Sequence, residues 1–159
     1  MLQNWIDKIS DRWATIVTHE GGTLRAHKMS ELDDFPETVS APAVITYPSD
    51  VSLTYSVGGP ILAHWVGRSE FYLFPNVSKS NLPRLLPYFE RIAVAAMGSI
   101  TLSGSVLYFM IDSTDAGSPS MEGPVQLTYG DNDNPYLGIV VNWKVKENIS
   151  GMTGLSVAA

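Results

Sequence analysis

Apolar residues in this chain come in short bursts fenced by proline and glycine, and that punctuation limits the fold more than any other feature of the sequence. Pro42-Ala43-Val44-Ile45-Thr46-Tyr47-Pro48 is a β-branched run with a proline at each end, which predicts a strand with a hard start and a hard stop. After Ser49-Asp50, residues 51–57 alternate apolar with polar, the period of a strand with one buried face. Gly58-Gly59-Pro60 then turns the chain into residues 61–67, and Phe71-Tyr72-Leu73-Phe74 resumes beyond Arg68-Ser69-Glu70, as two strands or one long bulged hairpin. Further strands are predicted over 105–111, 124–129 and 136–146, with a short one at Leu24-Arg25-Ala26-His27. Residues 112–123 read as a loop, and Asp131-Asn132-Asp133-Asn134-Pro135 as a turn.

Only two stretches change period. Leu2, Trp5, Ile6, Ile9, Trp13, Ile16 and Val17 recur at three and four, predicting an amphipathic helix that ends before Gly21-Gly22. Leu82, Leu85, Leu86, Phe89, Ile92, Ala93 and Ala96 fall on one helical face, and Gly98 closes that segment. Pro83 suits a first helical turn but Pro87 does not suit an interior one, so the helix is expected to start properly at Pro87. The order of helix, strands, helix, strands predicts an α+β domain over residues 1–147, with a mostly antiparallel sheet and both helices packed on it. Residues 148–159 carry weak signals and are expected to form a flexible tail.

Composition narrows the function classes. With 159 residues, 45% of them hydrophobic, the chain can bury a core without metals or disulfides, and it has no cysteine for thiolate chemistry. The 16 acidic residues outnumber the 10 basic ones, giving a net charge of -6, and the basic residues are scattered, so counterion release offers little drive for gripping nucleic acid. The first residues lack the basic start and apolar run of a signal peptide, and no run reaches the ~18 apolar residues of a membrane span. The protein is expected in the cytosol when made.

No catalytic motif emerges. His19, His27 and His64 stand apart, without metal-ligand spacing. Asp131 and Asp133 begin like a calcium loop, but Tyr136 stands where glycine belongs and Asn142 where a bidentate glutamate belongs. The carboxylates of Asp33-Asp34 and of Glu31 and Glu37 read as solvated loop acids. There is no GxSxG elbow, Walker loop or GxGxxG. The aromatics Tyr55, Trp65, Tyr72, Tyr108, Tyr129, Tyr136 and Trp143 lie in or beside strands. Most belong to a core, but several strands are apolar on both faces, which points to partner surface as well.

From residue 2 to 147 the order of features resembles the tail terminator family of long-tailed bacteriophages, the lambda-like tail-completion proteins. The resemblance is carried by the N-terminal amphipathic helix, Ala41-Pro42-Ala43-Val44-Ile45-Thr46-Tyr47-Pro48, and the hairpin over 51–74. The helix over 81–97, Ser99-Ile100-Thr101-Leu102-Ser103-Gly104-Ser105-Val106 and Tyr136-Leu137-Gly138-Ile139-Val140-Val141-Asn142-Trp143-Lys144-Val145 complete it. The loop over 112–123 is longer than the family pattern.

The missing motifs lead to the expectation of no enzymatic activity and no cofactor or metal, and the resemblance implies an α+β structural protein of the virion, assembled in the host cytoplasm. It implies a hexameric ring at the tail-neck junction, bound to the last ring of tail tube protein. The ring's other face receives the head-side connector or stopper, and DNA passes through the lumen without specific binding. Ring or partner contacts are then expected in the loops 49–60 and 112–123, at Tyr55, Val57, Ser118, Met121 and Glu122. Two alternatives stand beside this reading: another neck, head-completion or tail tube protein, and, from another class, a small hydrolase or ligand-binding domain.

Overall fold

The computed structural model of the chain describes residues 2–28, 39–113, 117–130 and 134–149. Its elements run α1 (Leu2–Trp13), β1 (Arg25–His27), β2 (Ala43–Thr54), β3 (Leu62–Phe74), α2 (Leu82–Met97), β4 (Tyr108–Ile111), β5 (Met121–Leu127) and β6 (Tyr136–Asn148). The sheet has the order β1-β2-β3-β6-β4, and β5 pairs with β6 beside β4. Only the β1–β2 pairing is parallel. This is the α+β architecture with a mostly antiparallel sheet that the sequence predicts.

Both helices pack on one face of the sheet. Trp5, Ile6, Ile9 and Trp13 of α1 and Leu85, Tyr88 and Ile92 of α2 meet Phe71, Ile139, Val141 and Trp143 in the main core. The four tryptophans of the chain share two polar acceptors. Trp13 and Trp143 donate their indole N–H to Ser69 Oγ at 2.9 and 3.2 Å, and Trp5 and Trp65 donate theirs to Glu147 Oε2 at 3.2 and 3.1 Å. Glu147 is 4% exposed, so its carboxylate is held inside the protein by those donors. Gly67, opposite Trp143, leaves room for the indole: a Cβ there would stand 2.3 Å from the ring. A smaller core on the other face gathers Val39, Ala43, Ile45, Tyr72, Leu127, Tyr136 and Val140.

Several boundaries differ from the sequence prediction, each for a local reason. Helix α1 stops at Trp13 and does not reach Val17. Thr15, Ile16, Val17 and Thr18 are β-branched and lose side-chain freedom in a helix, and residues 16–18 instead fold back on 22–24 through Thr18 N–Gly22 O and Leu24 N–Ile16 O bonds. Ile16 remains buried while Val17 points to solvent.

Strand β2 continues through Pro48, which the sequence reads as a stop, and Ser49 forms a bulge between Pro48 and Asp50. Beyond Ile45 no strand among the described residues pairs with its outer side, so a missing N–H is tolerated there. The partner is one long strand, β3, rather than two. Helix α2 begins at Leu82, not Pro87, and carries Pro87 inside it. Asn81 accepts from Leu85 N through its carbonyl, while its side-chain nitrogen is anchored on Asn76, and Leu85 is fully buried. The expected tail is paired at its start: Asn148 ends β6 and Ile149 N donates to Ile61 O. Residues 150–159, the loop acids at 31–37 and the turn residues 131–133 lie outside the described residues.

Gly67→Ala forces the Trp143 ring off its seat and should cost about 1–3 kcal/mol, the usual range for overpacking. Urea denaturation checks this; an unchanged midpoint would contradict the close packing.

Candidate interaction surfaces

The outer half of the β2–β3 hairpin forms an arm at one end of the sheet, in which β2 is the edge strand and β3 stays paired with β6 as far as Leu62 and Asn148. The inner end of β2 is buried, while residues 49–54 are exposed throughout. Register places Val51 opposite Trp65 and Leu53 opposite Ala63, so both lie on the helix-bearing face. Tyr55 and Val57 follow at the tip, where Gly58 turns with φ +69°. Val51, Leu53, Tyr55 and Val57 are all exposed, Tyr55 at 68%. No charged residue occurs between Val51 and Ala63. The outer side of β2 past Ile45 also has no strand partner among the described residues.

A second apolar surface lies at the opposite edge. Helix α2 is rotated relative to the face read from its periodicity. Leu85, Tyr88, Ile92, Ala95 and Ala96 are buried, whereas Leu86 is 60% exposed. Leu82, Leu86, Phe89, Ala93 and Met97 recur at four and three along α2, so the helix carries an outer apolar stripe beside its buried one. At its C-terminal end Met97 (76% exposed) and Ile100 (57%) face β4 and β5 across a groove of about 330 Å³, lined also by Ala93, Met110 and Met121. From Ile92 to Ile111 the sequence contains no charged residue.

The residues expected at contacts therefore divide between the two edges. Tyr55 and Val57 crown the arm, as exposed as a loop reading implies. Ser118 is half-buried ahead of β5. Met121 and Glu122 are not in a loop, because β5 begins at Met121 and pairs these residues with Val141 and Val140. Asn142 draws the chain in, its N–H donating to Ser120 O at 2.8 Å and its Nδ2 to Pro119 O at 3.2 Å. Met121 then packs against the main core and lines the groove, while Glu122 is exposed. Residues 51–54 are strand, as their alternation predicts, but the strand ends at Thr54 rather than Val57. Neither of its faces is buried there, because no described helix or strand residue covers Val51 and Leu53 enough to take them from solvent. The groove itself was missed, since its lining comes from three separate segments and α2 offers two overlapping apolar stripes.

Chemistry-bearing side chains are dispersed or already engaged. His19 is exposed at a turn, His27 is buried in β1 and His64 half-buried in β3. Among the described residues no group of three or more His, Cys, Asp or Glu could hold a metal ion. The densest polar cluster is on the second face, where the Glu70 carboxylate accepts from the hydroxyls of Tyr47 and, at 2.6 Å, Tyr72, and pairs with Arg68 at 3.1 Å. Tyr129 and Tyr136 meet Tyr72 edge-on. With its oxygens occupied in this way, Glu70 braces the sheet rather than offering a free base. At the rim beyond β4, a hydrogen bond from Lys144 holds Asp112 below the usual carboxylate range.

Compared with known proteins, the chain matches no family model, and no curated protein matches it.

Burial, then the hydrogen bonds to Glu70, raise the pKa of Tyr47 and Tyr72 above the ordinary phenol value of about 10. A raised folded-state pKa contributes stability that is fully present below about pH 10 and lost as pH rises past it, because the unfolded chain then releases protons that the folded one retains. Glu70→Gln removes one cause and leaves burial, so both hydroxyls should ionise at lower pH than in the wild type. Ultraviolet titration of phenolate measures this, and an unchanged titration curve would refute the bracing role.

Proposed function

We propose that this chain is a structural virion protein of a long-tailed bacteriophage, a tail terminator. Its subunits form a ring that caps the tail tube, stops tube growth and presents a surface to the head-side connector or stopper. The reading joins the resemblance in element order to one observation, the uncharged arm that exposes Val51, Leu53, Tyr55 and Val57 together. Apolar side chains grouped in this way on an exposed edge strand and its turn suit burial against another protein. A ring requires each subunit to offer a heterologous surface whose rotation closes. The arm supplies such a surface without drawing on any residue of the main core except the half-buried Trp65 at its base.

On this reading the protein acts by shape and burial, not by catalysis. The net charge of -6 suits a lumen through which DNA slides without sticking. No helix among the described residues is long and apolar enough to cross a membrane, in keeping with assembly on a tube rather than in a bilayer.

The test uses tail tubes of the phage that encodes the chain. The purified protein should bind one tube end and halt further addition of tube protein. Tyr55→Ala should weaken that capping about tenfold or more, the scale of an aromatic interface anchor. Its urea midpoint should stay within about 0.5 kcal/mol of wild type, because Tyr55 is exposed. A full-length protein that leaves tube growth unaffected would overturn the proposal.

A further inference from the structure

The two apolar surfaces belong together. Among the described residues nine of the thirteen exposed large hydrophobic side chains fall in the two charge-free segments, residues 51–63 at the β2 edge and 92–111 at the β4 edge. We infer that the arm of one copy seats in the α2–β4–β5 groove of the next, with Tyr55 directed to the pocket beside Met97. This rests on the ring reading above and supplies the residues of its subunit contact.

Three features favour a second copy of this chain as the occupant. First, the surfaces lie at opposite edges of one sheet. A neighbour set against the β2 edge and shifted along the strands brings the turn at Tyr55 to the groove, and the same step can repeat, which is the requirement of a head-to-tail ring. A two-fold contact of arm with arm would leave the groove uncovered.

Second, the base of the arm is level with one wall of the groove. Val51 pairs with Trp65, Trp65 with Val145 and Val145 with Phe109, so the base of the arm and a wall of the groove occupy one cross-strand row. Val51 shares the face of Trp65, and both Trp65 and Phe109 pack in the main core, so arm and groove both belong to the helix-bearing side.

Third, the chemistry matches. Neither segment carries a charge that would have to be desolvated, and methionines at 97, 110 and 121 supply pliable walls for an incoming aromatic ring. The groove volume of about 330 Å³ admits a tyrosine side chain.

The chain has no cysteine, so single cysteines report contacts without background. Tyr55→Cys and Met97→Cys alter exposed side chains and should leave the fold intact by circular dichroism. Treated with a short bis-maleimide, each variant alone should remain unlinked, the two mixed should give a linked dimer, and the double variant should give a ladder up to the ring. Linking of Tyr55→Cys to itself would overturn the inference in favour of an isologous contact. Rings that form normally with no 55–97 link would assign the groove to another occupant and overturn the inference while leaving the terminator reading standing. A chain that neither assembles nor links, alone or on tail tubes, would remove both.

Discussion

Everything else in the structure is arranged around the four indoles that meet over the sheet and the two acceptors that receive their N–H groups. Burial of the rings supplies the apolar drive, but an indole N–H left without a partner in such a place costs about 1–3 kcal/mol. Ser69, on β3, satisfies the pair from α1 and β6; Glu147, near the end of β6, satisfies the pair from α1 and β3. These bonds therefore fix α1 against the two central strands at both ends of the helix. Thr46 extends the first set from β2, its hydroxyl 2.8 Å from that of Ser69. Gly67 completes the seat by giving Trp143 the space of a missing side chain.

That clamp is confined to the middle of the sheet, and the confinement gives the molecule its surfaces. Trp65 packs against the core at the arm side, and from Ser49 to Thr54 β2 is exposed throughout. On the other side α2 buries one stripe and leaves another outward. The uncovered apolar residues are concentrated where charge is absent from the sequence, so desolvating them on assembly meets little opposition. Edge strands of this kind invite pairing; the bulge at Ser49 and Pro48 limit indiscriminate strand addition along β2 while leaving the side chains of the arm available.

Much of the fold was legible in the sequence because strand and helix periods are sharp here. The start of α1, the strand character of residues 51–54 and the final strand follow directly from spacing, as does the α+β class, whereas the exposure of both faces at 51–54 does not. What misled were residues whose local preference yields to tertiary context. Pro48 and Pro87 read as breakers, yet an edge strand and a helix anchored at Asn81 accommodate them. Ile16 and Val17 continue a helical period by spacing, but their backbone pairs across a turn. Tyr55 and Val57 could be named as surface candidates because they sit by turn glycines. Met121 could be named too, but its place in a strand at the groove depends on Asn142, more than twenty residues on.

The ring is the central claim, and the mass of the assembled chain is its most direct test. Particle mass and electron images of the full-length protein, alone and with tail tubes, should show a closed ring of one size with subunits related by rotation about its axis. A protein that is monomeric at every concentration, and that stays monomeric and unbound beside the tubes, would contradict it.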